Sequence, residues 1–315
     1  MSILVLSPGL QTTIQAGART GFRHQGVPAS GAADPLSLAL ANRLVGNDLL
    51  APALEATFIG PVLRFDASHV MALSGAEAKV TLNNEPVRFH RTFVVNAGDD
   101  LDIGSVEVGS RVYIAFGGGL QATEVMGSAS TYLPAAFGGH EGRALVKGDR
   151  LQTRGDHTFP EVLETPDGFR PPNTLRWALR TCRSAETHLL VERQRGVLFD
   201  ASWAIGRRAD RMGMQLDGPV VGVSSGGRMP SAPVFPGTIQ CPEDGAPFVL
   251  SVDSGTTGGY PRIAQVARAD RHLLGQMRPG DHIRFLPRQP QEAIDELHAK
   301  HDYWRKWLPG IERVI

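Results

Sequence analysis

Apolar and polar residues alternate along this chain in short runs, each bounded by glycine, proline, asparagine or aspartate. The segments "VLRFDA", "VMALSG", "KVTLNN", "TFVVNAGDDLDIG", "SRVYIAFGGG", "HLLVERQ", "PFVLSVDS" and "DHIRFLP" follow this rule. A period of two turns one face of each run to a core, and turn formers at both ends suit the strands of a sandwich or barrel. In the first half "GDDLDIG" and "GDRLQT" resemble "GDHIRFLP" in the second, each reading as a turn feeding a strand. That likeness predicts two similar barrels.

Helical spacing appears in two places. In "DPLSLALANRLVGND", Asp34 is placed as N-cap, Pro35 at the first helical position, Leu36, Leu40 and Leu44 on one face, and Gly46 at the stop. In "PQEAIDELHAKHDYWRKWL", Ile294, Leu297, Trp304 and Leu308 fall near helical spacing. The Pro-rich stretch "GDHTFPEVLETPDGFRPPNTLRWA" separates the strand-rich halves. The expected fold is therefore mainly β, with two β-rich lobes and a few short helices, divided into residues 1–165 and 166–315.

Composition narrows the function classes. The chain has 315 residues, 42% hydrophobic and 20% charged, which suits a globular protein of two domains. Lysine plus arginine equals aspartate plus glutamate, 32 against 32, so no footprint for nucleic acid or a membrane surface is expected. No apolar run reaches the ~20 residues needed to span a bilayer. The start "MSILVLSPGLQTT" lacks the basic region of a signal peptide. Cys182 and Cys241 stand alone, which suggests neither a disulfide framework nor a zinc site. The expectation is a cytoplasmic protein with no metal site.

Familiar catalytic motifs are missing: no GxxxxGK[ST], strand-GxGxxG-helix, HExxH or GxSxG occurs. Other constellations remain. The loop "RHQGVPASGAADP" gathers His24, Ser30, Gly31 and Asp34 before a helix N-terminus, where free N–H groups favour an anion. His24 has the right chemistry for an acid or base near neutral pH. Asp34 needs no role beyond capping. Asn42 and Glu55 are each flanked by apolar residues, and Glu55 is either salt-bridged or a perturbed functional acid. Arg211 stands before a Met-Gly-Met turn, suited to forking a ligand's carboxylate or phosphate, or to a structural Asp–Arg pair. In "TTGGY", Thr256 and Thr257 bring hydroxyls, Gly258 and Gly259 allow close backbone approach, and Tyr260 brings a flat face. By itself the motif is as well read as a plain turn.

Taken in order, "GVPASGAADPLSLALANRLVGN", "ALEATFIGPVLRF", "GSASTYLPAAFGGHEGRALVKGDRL", "ADRMGMQLDGP", "PGTIQCPEDGAPFVL" and "TTGGYPRIAQV" resemble the biotin-dependent carboxyltransferase family. That family covers allophanate hydrolase subunit 2, the carboxyltransferase part of urea carboxylase and the C-type subunit of 5-oxoprolinase. The resemblance runs from about Pro8 to Phe285. It implies cyclophilin-like β-barrel architecture, assigned to the C-terminal domain at 166–315. It also implies a separate partner, the B-type subunit of 5-oxoprolinase or an allophanate hydrolase subunit 1-like protein. ATP and a LamB/YcsF-type partner, the A-type subunit, belong to the 5-oxoprolinase reading, and biotin to the urea type. The resemblance points to Glu55, Asp253 and His24 for acid/base work or substrate orientation on a small lactam or amide. It further implies that Ser30, Gly31, Asn42, Arg211, Gln240, Thr256, Thr257, Gly258, Gly259 and Tyr260 line the site. The chain departs from the family pattern at Ala16, Ala129, Gln215 and Gly255, where polar groups are usual or a different one stands.

Overall fold

The computed structural model describes residues 2–154, 162–192, 195–224 and 229–315. The chain divides into two compact units. The first holds the chain up to Arg19, Ser30–Asn173 and Trp304–Val314; the second holds Thr20–Ala29, Thr174–Tyr303 and Ile315. The long passage between them thus falls at Asn173/Thr174, beyond the residue 165 suggested by proline content, and a short early loop is counted with the second unit.

The first unit is built on two sheets. One runs, in spatial order, β11 (Arg150–Gln152), β1 (Ser2–Ser7), β4 (Val62–Phe65), β9 (Asp100–Asp102), β6 (Thr81–Leu82) and β7 (Glu85–Pro86). The other runs β2 (Gln11–Gln15), β3 (Ala53–Thr57), β10 (Val106–Phe116), β5 (His69–Ala78) and β8 (Phe93–Val95). Period-two alternation explains how they pack. Val112, Ile114 and Phe116 of β10 and Met71 and Leu73 of β5 join Ile3, Val5, Leu63 and Phe65 in one core. The alternate residues, Tyr113 and Ala115 with Val70 and Ala72, meet Leu38, Ala41 and Leu44 of helix α1 (Pro35–Leu44). Both faces of β10 and β5 are therefore covered, which is why residues 112–116 and 70–73 are continuous apolar runs.

Helix α1 starts as its sequence dictates. Asp34 caps it by accepting the Ser37 N–H at 3.1 Å, Pro35 opens it, and Gly46 follows its end at φ 74°.

The second unit holds a closed barrel of seven strands. Around it stand β12 (Arg176–Arg183), β19 (Arg262–Val266), β16 (Thr238–Gln240), β17 (Phe248–Leu250), β14 (Gly213–Asp217), β13 (Trp203–Ala209) and β20 (His282–Arg288). The barrel pairs are antiparallel apart from β12 with β20, which run parallel. Its core includes Trp177, Leu179, Trp203, Ile239, Val249, Ile263 and Phe285. The buried indoles keep their N–H groups satisfied, Trp177 by Asp281 at 2.8 Å and Trp203 by the Leu198 carbonyl of helix α2 (Arg195–Asp200) at 3.0 Å. Outside the barrel, β15 (Ala232–Pro233) pairs with β18 (Thr257–Gly258). Helix α3 (Pro290–Trp304) follows β20.

Three expectations change. Closure belongs to the second unit, and the first is a pair of packed open sheets, so the shared turn-and-strand pieces do not make a repeated barrel. "HLLVERQ" is no strand over its described residues: Thr187–Leu189 form a 3-10 turn and Leu190 makes an isolated bridge to Val223, while residues 193–194 lie outside the described residues. On α3, Trp304 is buried, followed by Leu308 beyond the helix, whereas Ile294 is 46% exposed.

Candidate functional site

The candidates fall into two groups, one in each unit. In the first, β3 places Glu55 between Leu54 and Ala56, which face the sheet core, so Glu55 points to the α1 side. There its Oε2 accepts the Ala33 N–H at 2.8 Å and the Tyr113 hydroxyl at 2.8 Å. The Tyr113 oxygen in turn accepts the Asp34 N–H at 2.7 Å. Arg111, on β10, brings its guanidinium to 3.4 Å from Oε1. A buried carboxylate needs such partners, and Arg111 supplies a cation. Burial and the neighbouring Glu55 charge hold the Tyr113 phenol well above its ordinary pKa, so it remains a donor. Glu55 thus pins the loop ahead of α1.

That loop carries Ser30 and Gly31, both with positive φ, 51° and 92°. A Cβ on Gly31 would lie 3.0 Å from the Ala18 Cα, so glycine is required there on two counts. Ser30 has neither excuse. It is 3% exposed, holds a left-handed backbone unusual for serine, and its hydroxyl has no hydrogen-bond partner among the described residues. Strain joined to an unmet polar atom marks a position kept for something other than stability. Asn42 is different: its amide donates to the Leu49 and Ala51 carbonyls at 3.3 and 2.9 Å and accepts from Asn47 at 2.9 Å. It organises the turn after α1.

In the second unit Asp253 and Arg211 form a buried fork, 2.7 and 3.1 Å between the guanidinium and the two carboxylate oxygens. The Asp253 N–H also donates to the Arg211 carbonyl at 2.9 Å. This pairing fixes the start of the Ser254–Tyr260 segment. The "TTGGY" stretch is no hairpin tip. Thr257 and Gly258 form β18, opposite Pro233 and Ala232. The Gln240 amide donates to the Tyr260 carbonyl at 3.1 Å, and a Cβ on Gly258 would meet that same amide at 2.6 Å. Gly259 and Thr256 are half-buried, and Tyr260 is 45% exposed.

His24 sits exposed on the 3-10 turn Arg23–Gln25, in the loop counted with this unit. Beside it, Arg23 is more deeply engaged. Its Nη2 donates to the Val234 carbonyl and reaches the Gly255 carbonyl at 3.5 Å, and its guanidinium lies 5.1 Å from the Phe235 ring centre. Its Nη1 is buried without a partner among the described residues, and burial lowers its pKa. Ser254, 2% exposed, likewise has a hydroxyl with no such partner. No period or motif marks either residue; only the fold shows that Arg23 reaches a segment more than two hundred positions later. Of the departures, Ala16 and Ala129 are buried, and the Ala16 N–H is met by Ser130 Oγ at 3.0 Å, so the backbone is held without the usual side chains.

A mainly β chain with a closed seven-strand barrel has the fold class of the carboxyltransferase-type structures it superposes on. The family model described as "Carboxyltransferase domain, subdomain A and B" matches residues 25–287, and the chain belongs to that family. It is 33% identical to the C-type subunit of the Escherichia coli 5-oxoprolinase over 96% of each chain. It is 34% identical to urea amidolyase of Lachancea kluyveri over 92% of this chain and 17% of that one. Among solved structures, Kluyveromyces lactis urea carboxylase superposes with a TM-score of 0.91 at 30% identity, covering 97% of this chain and 29% of that one. No helix among the described residues is long and apolar enough to cross a membrane.

Proposed function

We propose that this chain is the C-type subunit of an ATP-dependent 5-oxoprolinase in the cytoplasm. With a B-type partner and a LamB/YcsF-type partner it would open 5-oxoproline to glutamate. One observation carries the reading: the likeness to the 5-oxoprolinase relative extends over 96% of both chains. Within the second unit, the Ser254–Tyr260 segment, where the buried Ser254 hydroxyl has no partner among the described residues, is what we assign to the substrate. Backbone donors beside small residues suit the oxygen that gains charge as a lactam is activated. We assign Glu55 and Asp253 to positioning, because each carboxylate is already engaged, and His24 to acid/base work. Arg211 and Gln240 support the Ser254–Tyr260 segment, and Asn42 the turn after α1.

ATP is assigned to the complex. No step on this chain is routed through it. A reading of the urea type would bring in biotin. The exposed Tyr260 would offer a flat face to its ureido ring, which once carboxylated would supply a carboxyl group.

A regulatory role without catalysis is the reading favoured by Ala16, Ala129 and Gly255. The test is to assay the assembled complex with 5-oxoproline and, separately, with urea, bicarbonate and a biotinylated carrier, for the natural chain and for Ala16→Asp, Ala129→Arg, Gly255→Gln. Activity on 5-oxoproline in the natural chain supports the proposal. Activity only on urea, or only after restoration, overturns it.

A further inference from the structure

The second unit contains a cavity of about 700 Å³, lined by neither the Arg211–Asp253 pair nor the Ser254–Tyr260 segment. Small-molecule sites fall in the range of about 300–1,000 Å³. Its position follows from the barrel. Because β12 and β20 run parallel, with Thr181 opposite Pro287 and Cys182 opposite Arg288, both deliver their C-terminal ends to one edge. The chain leaves β12 through residues 184–188 and leaves β20 into α3, while Gly196 and Phe199 of α2 supply a further wall.

The wall is held in place. Thr187 Oγ1 accepts the Ser184 N–H and donates to the Ile263 carbonyl, both at 2.7 Å. Glu186 grips Arg262 through two charged bonds of 2.7 and 2.6 Å. Of the carboxylates nearby, Glu186 is held by Arg262, Glu296 by Arg288 at 2.9 Å and Glu292 by the Gln289 N–H at 2.7 Å, while the Asp200 carboxylate stands beside Gly196. Arg183 lines the cavity with no carboxylate partner among the described residues. Ser184 and His188 stand near it in sequence, with His188 Nδ1 2.9 Å from the Ala185 carbonyl. Phe199 and Pro287 add an apolar surface.

We propose that this cavity is a second small-molecule site, taking a small organic carboxylate with a flat apolar body. The carboxylate meets the Arg183 fork and the body lies against Phe199 and Pro287.

The test uses benzoate as probe, titrated into the intact ¹⁵N-labelled chain. Saturable shifts are expected at the amides of Arg183, Ser184, His188 and Phe199. Affinity should fall about tenfold or more for benzyl alcohol and for Arg183→Gln, the loss of one charged fork. Arg183 is exposed, so its replacement leaves folding intact. A second variant, Gly196→Leu, places a side chain at the cavity where a Cβ meets only the Asp200 carboxylate at 3.0 Å, and should abolish binding. Absence of saturable shifts at these amides, equal affinity for benzyl alcohol, or unchanged binding in both variants would overturn the proposal.

Discussion

Glu55 is tolerated in the interior because Arg111, Tyr113 and the Ala33 N–H meet its carboxylate. Replacing it by alanine would leave Arg111 buried beside a hole, and should cost about 3–5 kcal/mol in urea unfolding. A loss below about 1 kcal/mol would show that the network does not anchor the loop. His90 makes the second residue-scale case. Burial, reinforced by the Arg170 charge, lowers its pKa from 6.5 to about 4. The unfolded imidazole then takes up a proton at a pH where the folded one does not. This contribution is fully favourable above 6.5 and is lost as pH falls toward 4. Between about pH 7.5 and about pH 5 the loss should be about 2 kcal/mol, and His90→Asn should remove that part of the pH dependence. An unchanged slope in the variant would contradict the assignment. The burial of Glu55 was legible from its apolar flanks. Its partners were not, since Arg111 and Tyr113 lie on β10, brought alongside only by strand register.

Helix α1 shows why some elements can be read and others cannot. Its cap, its opening proline and its closing glycine are local signals, each acting within a turn, so sequence alone locates it. Asp34→Ala should destabilise the chain by about 1–2 kcal/mol, measured by thermal unfolding, and no change would mean that the cap is redundant. By contrast, β18 is two residues long and owes its existence to β15, a partner containing a proline and placed elsewhere in the chain. No alternation can reveal a strand that short. The same segment invites Gly258→Val. A Cβ there meets the Gln240 side chain, which can shift, so folding should lose only about 1–3 kcal/mol while binding of 5-oxoproline by the assembled complex is lost. Binding retained at natural affinity would return the segment to a structural role.

At the scale of the whole molecule, the β character follows from alternation and turn residues that the sequence displays openly, whereas barrel closure confined to the second unit was implied only by the family resemblance. The grouping of Thr20–Ala29 with the second unit follows from neither, because that segment's assignment rests on contacts such as Arg23 with the Val234 and Gly255 carbonyls. This grouping brings His24 into the same unit as the Ser254–Tyr260 segment, and it underlies the role given to each. The proposed role of this chain is to complete a lactam-opening enzyme. The direct measurement is glutamate release from 5-oxoproline by the chain co-expressed with its B-type and LamB/YcsF-type partners. The expected result is release that requires both ATP and this chain. A folded three-component complex that releases no glutamate, beside a control complex that does, would contradict it.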